Sequence, residues 1–228
     1  PPPYTSTRRH TRFLHRSRGL GDVYKRQAIE RYEPDALRYA LASNFPETSD
    51  VDITEAELVR RINDELVATW GNLVNRVVSM THRYFDGAVP APGPVAEPDT
   101  AVLDSVDKAL ADASEHLSGV RLRAALATLL AGAQATNQYL SEMEPWKTAK
   151  TDMERTGTTL YTALQCISGL AAGFAPYLPA TSTKVLDTIG VDTSARQAAW
   201  ERREVPAGTV LGPAVPLFSK VDPPPDAE

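Results

Sequence analysis

Residues 54–87, TEAELVRRINDELVATWGNLVNRVVSMTHRYFDG, decide the fold. Leu58, Ile62, Leu66, Trp70, Leu73, Val77, Met80 and Tyr84 recur at steps of three and four. That spacing lays an apolar stripe along one face of a helix. Thr54 stands just ahead of the stripe with Glu57 three positions on, a capping box in which each residue satisfies an orphan backbone donor of the other. Asp86-Gly87 ends the run, because glycine takes the left-handed conformation at little steric cost. The pattern predicts one long amphipathic helix, whose apolar face must be buried against neighbours.

The flanking chain supplies those neighbours. Residues 34–43, PDALRYALAS, begin with Pro34 at a first-turn position and stop before Pro46. Residues 88–97 are proline-rich and form a surface connector. Residues 98–117 predict a more polar helix broken by Gly119. Residues 120–144 predict another, with Leu122, Leu126, Leu129, Ala133, Tyr139 and Leu140 inward and Pro145 closing it. Residues 152–174 carry Leu160, Leu164, Ile167 and Phe174 at helical steps. Pro176 and Pro179 then bend the chain into a short helix near 180–189. Residues 205–218 lack helical spacing and read as an extended tail lying on the bundle. The fold class is all-α: an antiparallel helical bundle of about five helices with an extended C-terminal tail.

Composition agrees. Of 228 residues, 42% are hydrophobic and 23% charged, which suits a packed core and excludes wholesale disorder. No run of about 18 apolar residues offers a membrane span. A single cysteine, Cys166, excludes an internal disulfide framework and a cysteine-based zinc cluster, and fits a reducing, cytoplasmic setting. Cys166 lies on an apolar helix face and reads as a small buried hydrophobe.

The net charge of −5 is an average over two unlike parts. Residues 1–27 hold seven basic side chains and one acidic one, a net of +6. The other 201 residues hold 17 basic and 28 acidic side chains, a net of −11. Four readings of the basic segment compete. It has the charge of a nucleic-acid arm and the composition of a transit peptide, but lacks the apolar core of a secretory signal. The fourth is that Asp22-Val23-Tyr24-Lys25-Arg26-Gln27 resembles a translated sequencing-library adapter abutting a well-patterned sequence from Ala28. Residues 1–27 are therefore set aside from fold reasoning as a disordered or artefactual basic segment.

Several chemistries find no residues to carry them. The four histidines, His10, His15, His82 and His116, form no Glu-x-x-His pair, so no metal site is expected. There is no phosphate-binding loop, dinucleotide fingerprint or nucleophile elbow. The chain reads as a recognition module or a piece of something larger, with no catalytic residues of its own.

Three features stand out. Asn72 and Arg76 are one helical turn apart on the same face, and Asn75, Ser79 and Arg83 extend that polar stripe. Asn and Arg present the paired donors and acceptors that read base edges. Glu144-Pro145-Trp146-Lys147 puts an aromatic ring at a helix break, where it can stack on an unpaired base. Pro216-Leu217-Phe218-Ser219-Lys220 puts an apolar pair in the tail. Each also has a purely structural reading: a solvated helix face, a core tryptophan and a terminus anchor.

A resemblance favours the functional reading. Residues 31–39, RYEPDALRY, resemble the segment that follows the second signature loop of class I aminoacyl-tRNA synthetases. Residues 70–76, WGNLVNR, resemble the GNLxNR run of methionyl-tRNA synthetases. Asn137-Gln138-Tyr139 with Glu144-Pro145-Trp146-Lys147 resembles that family's NxY…xPWK, and Pro216-Leu217-Phe218-Ser219-Lys220 its PLFxK ending. Order and spacing agree from residue 29 to 222.

The resemblance implies that Asn72, Arg76 and Trp146 read the CAU anticodon of the methionine tRNA, with Pro145 fixing the tryptophan. A polar residue that the family often has one turn before the Asn is Ala68 here. The resemblance also implies a division of the chain: residues 28–53 as a stem-contact remnant of the catalytic half, 54–190 as the anticodon-binding bundle, and 191–228 as an extension packing back on it. The HIGH and KMSKS signatures are absent, as are the zinc-knuckle cysteines. The chain is therefore expected to be a C-terminal portion that does not activate methionine alone. ATP, Mg and Zn are expected only in the missing catalytic domain, which would be its partner along with tRNA. Neither DNA nor a membrane is expected as a partner. The alternatives are the bundle of a sister synthetase for Leu, Ile, Val or Cys, and a helical protein-interaction module with no RNA role.

Overall fold

The computed structural model describes residues 31–47, 54–191 and 201–222. The basic segment 1–27 lies outside the described residues. Among the described residues the secondary structure is helical: α1 (Pro34–Ser43), α2 (Glu55–Arg61), a π-helical stretch (Ile62–Gly71), α3 (Asn72–Phe85), α4 (Glu97–Ser118), α5 (Leu122–Met143), α6 (Pro145–Thr148), α7 (Met153–Phe174) and α8 (Pro179–Thr188). None of these helices is long and apolar enough to cross a membrane.

The long helix from Thr54 forms, and the Thr54 hydroxyl accepts the Glu57 N–H at 3.2 Å, one half of the expected capping box; the Glu57 carboxylate turns instead to Arg60 and Arg61. It is not one uninterrupted α-helix. Between Ile62 and Gly71 it widens to π winding, and the Asn72 N–H reaches back to the Val67 carbonyl. The sequence contains a reason. Leu58, Ile62, Leu66 and Trp70 follow one another at unbroken steps of four, longer than the 3.6-residue α period, so an α-helix would carry the stripe progressively off the core. Wider turns keep it in register. Ile62, Leu66, Trp70, Leu73 and Val77 are all fully buried.

Asp86 leaves the helix in the left-handed region (φ 51°), and Gly87 follows at φ 79°. A Cβ at Gly87 would lie 2.6 Å from the His82 ring, so the position excludes a side chain on two grounds. At the end of α4 the expected roles are exchanged. Gly119 has an ordinary φ of −85°, and the left-handed residue is Val120 at φ 57°. Its N–H and that of Arg121 close the turn onto Leu117 and His116 carbonyls.

Helices α4 and α5 pair lengthwise, and α7 packs on both. Helix α7 is buried almost all round rather than along one stripe, with Leu160, Leu164, Cys166, Ile167, Leu170 and Phe174 at zero exposure. Trp70 meets Phe174 with ring centres 5.1 Å apart, which fastens the π-helical stretch to the end of this central helix.

The tail runs extended over the bundle. It makes an isolated antiparallel bridge between Ala88 and Val210, and the Gly212 N–H donates to Thr188 O at 2.7 Å. Two amide side chains fasten it in the same manner. Gln165 donates to Val205 O (2.9 Å) and accepts the Val205 N–H (3.0 Å). Asn63 does likewise for Val221, at 2.8 and 2.9 Å. Each amide supplies the two bonds that a neighbouring strand would have supplied.

Candidate nucleic-acid interface

Asn72 opens α3 and is exposed; Arg76, one turn on, is half-buried. Trp146 approaches from another part of the chain. Helix α5 stops at Met143, Glu144 turns the backbone left-handed (φ 44°), and buried Pro145 starts the one-turn helix α6. The fixed φ of proline suits that first-turn position. Lys147 N–H donates to Glu144 O at 2.7 Å, and the Thr148 and Thr156 hydroxyls meet at 2.7 Å, so α6 is tied to α7. The outcome is a half-buried indole with the Arg76 guanidinium carbon 5.4 Å from its ring centre. Of the residues expected to act together, Arg76 and Trp146 are in contact, Asn72 lies one turn before Arg76, and Pro145 is the buried first residue of the turn that carries Trp146.

Beside Asn72 lies an open cleft of about 380 Å³. Ala68, Asn72 and Asn75 line one side, and Pro216, Leu217 and Phe218 the other. Leu217 and Phe218 are buried, so the apolar pair of the tail both anchors the terminus and walls this cleft. Asn75 belonged to the polar stripe in the sequence, but its facing the tail needed the fold. Farther along, Ser79 and Arg83 are exposed, and Arg83 lies over the Tyr84 ring at 5.5 Å.

Other motif residues turn inward. Asn137 donates to the Thr69 carbonyl (3.1 Å) and to Ala133 O (3.2 Å), serving the π-helical stretch just before Asn72. Tyr139 donates to Asp99 at 2.6 Å. Asp99 is wholly buried, receives both terminal guanidinium nitrogens of Arg155, and accepts the Ala96 N–H at 2.8 Å. Burial works to raise the Asp99 pKa, but the bonds from Arg155, Tyr139 and Ala96 outweigh it and hold the carboxyl below its ordinary value. Burial likewise pushes the Tyr139 hydroxyl upward, helped by its bond to Asp99. This cluster joins α4, α5 and α7, and nothing in the spacing of Asp99, Tyr139 and Arg155 announced it. Cys166 is fully buried, and burial pushes its thiol up to about 12, so it is a core residue as expected.

Comparison with known proteins bears on this arrangement. Residues 89–226 match the family model described as the anticodon binding domain of methionyl tRNA ligase, and residues 11–78 match that of class I tRNA synthetases of the methionine type. The methionine–tRNA ligase of Roseiflexus castenholzii is 40% identical over 219 residues, covering 85% of this chain and 37% of that protein. That of Thermobifida fusca is 39% identical over 231 residues, covering 88% and 38%. The crystal structure of apo Mycobacterium tuberculosis methionyl-tRNA synthetase superposes with a TM-score of 0.81 at 30% identity, covering 86% of this chain and 40% of that one. The same enzyme in complex with methionyl-adenylate gives 0.77 at 31% identity, covering 81% and 37%. The chain thus spans well under half the length of these relatives.

Proposed function

This chain belongs to the methionyl-tRNA synthetase family and carries its anticodon-binding domain, and from that premise we propose that it binds the methionine tRNA by reading the CAU anticodon. In this reading an unstacked anticodon base lies on the indole of Trp146, Pro145 holds the ring in place, and Asn72 and Arg76 hydrogen-bond base edges. The Arg76–Trp146 contact carries the reading: it sets a stacking surface and a five-donor guanidinium within 5.4 Å of each other, beside an exposed amide. An acidic body is poorly suited to binding RNA through many phosphates, so selectivity rests on a few base contacts.

The ATP-dependent attachment of methionine, with ATP, Mg and Zn, we assign to the portion of the relatives that this chain does not cover. Among the described residues no three His, Cys, Asp or Glu side chains are grouped as a metal site requires. A cytoplasmic location goes with this function.

The test is binding of the 228-residue chain to anticodon hairpin RNAs that differ only in the three anticodon bases. Preference for CAU, lost in Trp146→Ala, is the expected result. Equal binding to all anticodons overturns it.

A further inference from the structure

Trp146 stands on a corner of the bundle, and the corner is held from behind. Helix α5 ends at Met143 and α7 begins at Met153; residues 144–152 between them carry the one-turn helix α6. Glu144 opens the corner at φ 44° and ψ 55°. A residue with a Cβ is disfavoured in that left-handed region and stays there only where the surrounding structure imposes it. The Glu144–Lys147 ion pair on the corner is exposed and imposes little.

One buried carboxylate receives both ends of the corner. Tyr139, about one turn before the end of α5, donates its hydroxyl to Asp99 Oδ1 at 2.6 Å. Arg155, in the first turn of α7, donates to Asp99 Oδ2 at 2.8 Å through one terminal nitrogen and to Oδ1 through the other. That second nitrogen also lies 3.3 Å from the Tyr139 hydroxyl, so the three groups close a triangle. Asp99 is itself fixed at the start of α4 by the Ala96 N–H at 2.8 Å. Asp99 is 0% exposed and Tyr139 3%, so neither side chain can meet RNA.

Apolar packing between α5 and α7 is non-directional. A guanidinium fork on a carboxylate is directional, because its two parallel bonds fix orientation as well as distance. The triangle thereby sets the separation and register of the two helix ends from which the corner springs. Helix α6 follows α7 through the Thr148–Thr156 hydroxyl contact at 2.7 Å, so a shift in the first turn of α7 moves the ring of Trp146. We propose that Asp99 is a positioning residue for RNA binding: through Tyr139 and Arg155 it holds the ends of α5 and α7 where the corner between them presents Trp146. The inference rests on the anticodon reading above and adds to it three residues that touch no base.

The experiment is a double-mutant cycle on the 228-residue chain. Tyr139→Phe removes one hydroxyl and keeps the ring; Arg155→Lys keeps the charge and loses the fork. Both loosen the hold on Asp99 and leave it in place. Each is made alone and together with Trp146→Ala, and binding to a hairpin RNA carrying CAU is measured at a temperature where thermal unfolding shows every variant folded. Tyr139→Phe and Arg155→Lys are each expected to weaken binding about tenfold when Trp146 is present and by less than about twofold when it is replaced. A role confined to stability would not produce that coupling. Equal losses in both backgrounds, or full affinity in both single variants, refute the positioning role while the anticodon reading stands. If Trp146→Ala alone binds the CAU hairpin as tightly as the wild type, the anticodon reading falls and this inference with it.

Discussion

The Arg76 guanidinium lies over the Trp146 ring, its central carbon 5.4 Å from the ring centre. One side chain comes from α3 and the other from the single turn of α6, so the pair records how the bundle brings two helix ends together.

This contact predicts a separation of stability from binding. A cation over a half-buried indole contributes about 0.5–2 kcal/mol, so Arg76→Ala should move the unfolding free energy by no more than that. Loss of a base-edge contact should cost about 1–3 kcal/mol of RNA affinity. Urea titration beside hairpin binding checks both quantities in one preparation. A variant that lost several kcal/mol of stability and no RNA affinity would make Arg76 a structural residue.

The Asp99–Arg155–Tyr139 cluster predicts a pH dependence. The folded-state pKa of Asp99 is depressed, so its contribution to stability is complete above the unfolded value of about 3.9 and is lost as pH falls through the lower folded value. Unfolding free energy should therefore fall more steeply below about pH 4 than in Asp99→Asn. The variant itself leaves a guanidinium at a largely buried site without its counterion, at a cost of about 3–5 kcal/mol at neutral pH. Urea midpoints from pH 7 to pH 3 for both proteins decide it; parallel curves would remove Asp99 from the acid response.

How far the sequence reaches is clearest in the long helix. Its stripe, its cap at Thr54 and its end at Asp86-Gly87 are local patterns, and local patterns are legible. The steps of four through Trp70 also contain the π winding, but a reading tuned to steps of three or four accepts them as α. In the site, Asn72, Arg76, Pro145 and Trp146 stand out through their resemblance to the family's GNLxNR and PWK runs; taken alone, they fit a solvated helix face and a packed tryptophan equally well. Asn75 and Leu217 lining one cleft, and Asp99 between Tyr139 and Arg155, depend on which elements become neighbours. No one-dimensional spacing carries that information.

Cys166 gives a chemical test of the core. Burial raises its thiol to about 12, so at pH 8 both thiolate and access are lacking. A disulfide reagent should leave the folded chain unlabelled and react stoichiometrically after denaturation in guanidinium. Rapid labelling of folded protein would mean that α7 opens locally or is not central.

The last prediction concerns Asn137, whose motif neighbours suggest the RNA surface but whose amide points to the Thr69 carbonyl. The π winding shifts the hydrogen-bond register here, with the Asn72 N–H shared between the Thr69 and Val67 carbonyls. Asn137 gives Thr69 a second donor from α5 and so fixes where π winding passes into α3. Asn137→Ala should cost about 0.5–1.5 kcal/mol, the net contribution of a hydrogen bond at a half-buried site. Because Thr69 is three residues from Asn72, the variant should also weaken RNA binding without removing any group that touches RNA. Asn137→Asp keeps an acceptor but no donor, and should behave like the alanine variant; Asn137→Gln, which keeps the donor, should recover part of the loss. Full RNA affinity in Asn137→Ala with reduced stability would show that the transition is fixed by core packing of Trp70 and Leu73 alone.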